Sequence, residues 1–400
     1  MAERPGSLKG LLAGQDLLVA VGPGGVGKTT ISAAMGLQAA CMGRNTLVLT
    51  IDPAKRLAQA LGLSGLDDQV QEVSTAELTE KGVEVPGKLY AAMLDTGRSF
   101  DALMARVAPT PQARERILNN RVYRAMAGTL ARSHAYIAME RLYEAMADPR
   151  FDLVILDTPP TRNAIEILDA PGTLTAFLEE NVVKWFVRRP GGGLRARLWA
   201  TGSAAVTKLL GLLAGQQFLD EIIAFFESFY ELRDGFRERA ERARAYLRHP
   251  RSSFVVVSSA DPSNLDDAVA LAEGVRARGV QLDAAVFNRA YEPLGDDPLE
   301  VVTSTPTRDP AAIAARVWDT PESADAVVRL IAGMGRILEE AAAANARALE
   351  ATEKVQLGAG AERVFVARLE DDIRDIPGLH RLAPWLCHEA EDDAAGEGPT

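Results

Sequence analysis

A glycine-rich turn that ends in a lysine and a hydroxyl is the strongest chemical signal in the chain. Gly22-Pro23-Gly24-Gly25-Val26-Gly27-Lys28-Thr29 fills every position of the pattern GxxxxGK[ST]. Glycines at Gly22, Gly24, Gly25 and Gly27 let backbone approach a polyphosphate, with N–H groups, including those of Val26 and Thr30, turned inward. The Lys28 ammonium would reach the β- and γ-phosphates, and the Thr29 hydroxyl would bind Mg²⁺. A helix opening here adds partial positive charge for an anion. The chemistry is binding and cleavage of a nucleoside triphosphate, with Mg²⁺ beside it.

Two carboxylates follow at the ends of apolar runs. Asp157 closes Leu153-Val154-Ile155-Leu156. A carboxylate after four apolar strand residues suits a Mg²⁺ ligand, direct or through water. Asp52 follows Thr46-Leu47-Val48-Leu49-Thr50-Ile51 and precedes Pro53. Two roles stand open for it: orienting the attacking water, or capping a helix that begins at Pro53. Pro159-Pro160 stiffens the loop after Asp157 and suits a γ-phosphate sensor.

The elements that must carry these groups alternate along the chain. Short β-rich runs at 16–21, 46–51, 151–156, 254–258, 282–287 and 363–369 are separated by helical patterns. Continuous apolar strands between helices predict a mainly parallel sheet covered on both faces. Adjacent parallel strands bring Lys28, Asp52 and Asp157 to one edge. Two blocks break the rhythm, at about 98–148 and 164–248, and read as helical inserts. The second contains six basic residues and no acidic one over 181–219, with Trp185, Phe186 and Trp199 interleaved and a hinge at 190–193. Its two readings are a lid that docks an apolar client or an anionic membrane surface, and a self-packed helical subdomain.

Composition narrows the class. The chain has 400 residues, 47% hydrophobic and 25% charged, in the range of an ordinary globular protein. A net charge of −11 argues against binding nucleic acid by bulk charge, and with it against a DNA-bound partition ATPase. The two cysteines, Cys41 and Cys387, form no CxxC pair, so neither a zinc site nor a disulfide framework is expected, which fits a reducing cytoplasm. No leader or spanning segment is read in the sequence. Residues 389–400 read as an acidic disordered tail.

Taken together, the motifs at 22–30, 52–54 and 157–161 resemble the arsenite-pump ATPase (ArsA) family. That family includes the eukaryotic tail-anchored-protein targeting ATPases and belongs to the deviant Walker A class of P-loop proteins. The resemblance spans roughly residues 14–380. Ala138-Met139-Glu140-Arg141-Leu142-Tyr143 and Pro160-Thr161-Arg162-Asn163-Ala164 look like the bacterial members. It implies an α/β P-loop NTPase fold with an inserted helical subdomain, one ATPase domain over 14–388. It implies a dimeric cytoplasmic ATPase whose nucleotide state governs binding of a protein client. Lys28 and Asp52 would be catalytic, Thr29 and Asp157 would hold Mg²⁺, and Asn288 would contact adenine. Asn288 also reads as a turn residue that caps its strand.

Three departures qualify the resemblance. Pro23 stands where the family has its signature lysine. That lysine reaches across a dimer to stabilise transition-state charge, which proline cannot do. Either self-activated hydrolysis is weak, or a lysine-bearing paralogue completes a heterodimer in place of a homodimer. A non-catalytic nucleotide-binding subunit of a heteromeric complex is the alternative reading. No CxxC is present to bridge a dimer through zinc, and no cysteine cluster is present to take up arsenite.

Overall fold

The computed structural model describes residues 6–51, 56–67, 69–94, 110–121, 134–159, 232–259, 261–290, 323–354, 360–369 and 371–387. It also describes positions 104, 108, 123–124, 168–169, 217, 221–222, 224–225 and 357–358. Asp52, residues 181–216 and the tail at 389–400 lie outside the described residues.

An eight-stranded sheet organises these residues, in the order β3-β4-β2-β5-β1-β6-β7-β8. The strands are β1 (Leu17–Val21), β2 (Thr46–Thr50), β3 (Gln71–Glu72), β4 (Leu89–Met93), β5 (Leu153–Asp157), β6 (Ser252–Ser259), β7 (Leu282–Ala290) and β8 (Glu362–Ala367). Only the β3–β4 pair is antiparallel; every other neighbour is parallel. Six strands fall on the apolar runs read from sequence, and β3 and β4 are additional. β4, Leu-Tyr-Ala-Ala-Met, carries two alanines, which favour strands weakly, and its place comes from register with β2.

The strands are apolar on both faces, and alternate residues feed two cores. Val19, Leu49, Leu156 and Val256 face one core, packed under α6 (His134–Ala147), α7 (Arg233–Leu247) and α8 (Pro262–Ala277). Leu18, Val48, Ile155 and Val257 face the other. That side is covered by α1 (Lys9–Gly14), α2 (Lys28–Cys41), α3 (Arg56–Ala60), α4 (Thr75–Glu80), α10 (Ile376–His380) and α11 (Ala383–Leu386). Two further helices are α5 (Pro111–Asn119) and the 32-residue α9 (Ser323–Lys354). Among the described residues no helix is long and apolar enough to cross a membrane.

This topology creates the position for a site. β1 lies inside the sheet, with β5 on one side and β6 on the other. The chain leaves β1 for β2 in one direction and later adds β6, β7 and β8 in the other. The crevice at such a reversal, outside the carboxyl ends of the strands, is where open α/β sheets bind ligands.

Candidate nucleotide site

The loop between β1 and α2 is shaped by close backbone approach. A side chain at Gly22 would collide with the Val257 carbonyl of β6. Gly27 is the N-cap of α2 in the left-handed region, at φ 93°. A Cβ there would meet the amide of Asn288 and would carry an unfavourable backbone. Because the left-handed turn feeds straight into the helix, α2 begins at Lys28. Gly27 supplies no capping side chain, so the first N–H groups of α2 are available to a ligand.

Lys28 folds back over this loop. Its Nζ donates to the Gly22 carbonyl at 2.9 Å and the Pro23 carbonyl at 2.7 Å, and the residue is only 7% exposed. Pro23 is itself buried, and as a proline it presents no N–H to a ligand. Thr29, the next residue of the helix, turns the other way. Its Oγ1 donates to Asp157 Oδ2 at 2.7 Å.

Asp157 is the last residue of β5 and is 1% exposed. Sheet register puts it opposite Ala20 of β1 and Thr50 of β2. The Thr50 hydroxyl donates to the same Oδ2 at 2.8 Å. Thr158 Oγ1 donates to the Ala20 carbonyl at 2.7 Å and ties the next loop to β1. Thr50 was not singled out in the sequence, because a threonine ending a strand is ordinary; its register with Asp157 is what gives it a role.

Thr29 and Asp157 supply hard oxygen donors, the kind Mg²⁺ prefers. Among the described residues no trio of His, Cys, Asp and Glu gathers as a metal cage. A pair of protein oxygens suits an ion that brings most of its shell as phosphates and water. The glycine cradle and this oxygen pair lie at adjacent strand ends and fit Mg²⁺ together with a polyphosphate.

A cavity of about 970 Å³ opens beside the loop. Gly25, Gly27 and Thr30 line one part. Ser259 and Asp261 come from the end of β6 and the start of α8, Asn288 and Arg289 from the end of β7, and Arg347 from α9. Asn288 Nδ2 donates to the Val26 carbonyl at 2.8 Å, and its Oδ1 accepts from the Arg289 amide at 3.0 Å. Asn288 therefore ties β7 to the phosphate loop while lining the cavity. The loop, Lys28, Thr29, Asp157 and Asn288 are thus brought together. Arg289 and Thr50 join them without having been flagged by any motif.

Known proteins resemble this chain. The family model for anion-transporting ATPases, ArsA_ATPase, matches residues 16–302. An arsenical pump-driving ATPase of Escherichia coli is 28% identical over 165 residues, 40% of this chain and 26% of that protein. The ATPase get3 of Schizosaccharomyces pombe is 28% identical over 181 residues, 44% of this chain and 49% of that protein. A Streptomyces coelicolor protein of uncharacterised role is 28% identical over 273 residues, 68% of this chain and 62% of its own length. The chain thus spans about a quarter of the length of the pump ATPases it matches.

Proposed function

Because this chain belongs to the anion-transporting ATPase family, we propose that it is a Mg-ATP-hydrolysing switch whose nucleotide state governs binding of another protein. The observation that carries the reading is the convergence of Lys28, Thr29 and Asp157 at the carboxyl edge of β1 and β5.

Each group has a task in this reading. The Lys28 ammonium exchanges the Gly22 and Pro23 carbonyls for β- and γ-phosphate oxygens. The first N–H groups of α2 receive further phosphate oxygens. Thr29 and Asp157 would hold Mg²⁺, which supplies neutralisation of phosphate charge when bound. Thr50 keeps the Asp157 carboxylate aimed, by its bond to Oδ2. Asp52 orients and polarises the water that attacks the γ-phosphorus as the bond to the bridging oxygen breaks and ADP leaves. Asn288 stands at the adenine end.

By the same reading the chain works in the cytoplasm as a dimer, with itself or with a lysine-bearing paralogue. Residues 181–230 are the region we assign to a client or membrane surface. Pro23 supports one second reading, a nucleotide-binding subunit with little turnover, because the loop lacks both the lysine and one N–H donor.

Asp52→Asn separates the two. Phosphate release measurable in the parent and lost in the variant supports hydrolysis. Binding without turnover in either protein supports the second reading. Absence of calorimetric heat with millimolar Mg-ATP overturns both.

A further inference from the structure

Arg289 is the one residue other than glycine with a left-handed backbone among the described residues, at φ 57°. A Cβ makes that conformation unfavourable, and asparagine, aspartate or glycine is the usual occupant. An arginine held there is strained, and strain of this kind collects at ligand sites.

The surroundings say what the strain accomplishes. Asn288 pairs with Val366 and Ala290 with Ala367, so Arg289 is the extra residue of a bulge between β7 and β8. Bulges at sheet ends re-aim side chains. Here the bulged residue is exposed and lines the cavity beside the phosphate loop. Among the described residues its guanidinium forms no ion pair. The bulge is also anchored to the loop, since Asn288 donates to the Val26 carbonyl and accepts from the Arg289 amide.

Position selects the part of the ligand that Arg289 meets. The order β1-β6-β7 puts it two strands from the loop-bearing strand. At about 4.8 Å per strand the lateral offset is roughly 10 Å. A triphosphate seated on the N-terminus of α2 places its nucleoside, not its γ-phosphate, at that reach. We propose that Arg289 is a specificity-determining residue that grips the nucleoside end of the nucleotide, its planar guanidinium laid against the base. The proposal rests on the nucleotide-binding reading above.

The test uses the full-length chain and calorimetric titration with Mg-ATP and with Mg-tripolyphosphate, which has phosphates and no nucleoside. Arg289→Gly and Arg289→Asn both suit a left-handed backbone, so either removes the guanidinium without adding strain. The expected result is about a tenfold loss of ATP affinity in both, tripolyphosphate affinity within twofold of the parent, and a urea midpoint at or above the parent's. Arg289→Lys keeps the charge without the plane and recovers only part of the loss. Unchanged ATP affinity in the glycine and asparagine variants overturns the proposal. Equal losses for ATP and tripolyphosphate overturn it as well, by moving the contact to the phosphates. Lys28→Ala is the control for the underlying reading. If it binds both ligands as the parent does, nucleotide binding at this loop fails and Arg289 falls with it. If it loses both while Arg289→Gly loses neither, only the Arg289 proposal fails.

Discussion

The two edges of the sheet treat a cation in chemically similar ways and with opposite consequences. At the carboxyl edge, Lys28 donates to the Gly22 and Pro23 carbonyls. At the amino edge, Arg44 donates to the Leu12 and Gln15 carbonyls at 2.6 Å each and to the Asp152 carbonyl. Leu12 and Gln15 lie at the C-terminal end of α1, where carbonyls are left over and partial charge is negative. Arg44 therefore has the helix partial charge in its favour, against the cost of its partial burial. Lys28 is the first residue of α2, where partial charge is already positive. A cation there gains less from the helix than one at a C-terminus does.

The cavities repeat the contrast. The amino-edge cavity, about 600 Å³, is lined by Arg44 and Arg251 and by Asp16 and Asp152. Its charges cancel locally, with Arg251 on Asp16 at 2.7 Å. The carboxyl-edge cavity also has carboxylates, Asp261 and Glu340 among them, yet Arg56, Arg289 and Arg347 line it without an ion pair among the described residues. One edge is a finished structural joint. The other combines the Arg374–Asp372 pair with these three arginines, which carry no such pair among the described residues.

The strongest way to break this contrast is to delete each cation in turn. Lys28→Ala is expected to weaken Mg-ATP binding by two orders of magnitude or more. Each charge-assisted phosphate contact is worth about 1.5–3 kcal/mol. Relief at the positive helix end offsets the loss of the donor to the buried Gly22 and Pro23 carbonyls, so the variant's urea midpoint should fall by less than that of Arg44→Ala. Arg44→Ala should do the reverse. Stranded carbonyls cost about 1–3 kcal/mol of stability, and ATP affinity should remain within twofold. A Lys28 variant that unfolds easily but still binds ATP would erase the distinction between the edges.

How much of this was readable beforehand differs between the edges for physical reasons. The glycine-rich loop and Asp157 were legible because a GxxxxGK[ST] spacing and a carboxylate closing an apolar run are patterns of residue type, and the fold sets Thr29 of that loop against Asp157. Six strands were legible because parallel strands buried on both faces are continuous apolar runs. β3 was not, being two residues long. Thr50 owes its role to register, which a linear pattern does not display. Arg289 was hidden because nothing about arginine announces a left-handed bulge, and the apolar run had been closed at Phe287, three residues before β7 ends. Arg44 was hidden because its partners are backbone carbonyls, which carry no sequence signature.

A smaller effect sharpens the comparison on the amino-edge side. Glu140 of α6 is 4% exposed and is paired with Arg239 of α7, whose guanidinium also lies over the Tyr143 ring at 5.2 Å. The ends of the same two helices, through Met146 and Tyr246, line the amino-edge cavity. Removing Arg239 takes away one of the groups that compensate the buried Glu140 carboxylate. Arg239 is a quarter exposed, so Arg239→Ala should cost about 2–3 kcal/mol, at the low end for such pairs. Urea unfolding gives the number. Mg-ATP affinity should hold within twofold, and a tenfold loss would show that the helical pair is coupled to the nucleotide site after all.

The smallest effect probes the back of the helix that carries Lys28. α10 packs on α2, and Cys387 is the C-cap of their neighbour α11, while Cys41 is the last residue of α2. Burial raises both thiols, and Cys387 is pushed up to about 11. The thiolate is the reactive form, so at pH 8 Cys387 should react with a disulfide reagent about a hundredfold more slowly than an ordinary cysteine. The native state holds this proton more tightly than the unfolded chain does. Its stabilising contribution is therefore complete below about pH 9 and is lost as pH rises toward 11. Urea midpoints should fall over that window, and Cys387→Ala should flatten part of the fall. Labelling at pH 8 that is already as fast as that of free cysteine would mean that α11 does not stay closed over the site helix, and the carboxyl edge would then be loose behind its loop as well as open in front of it.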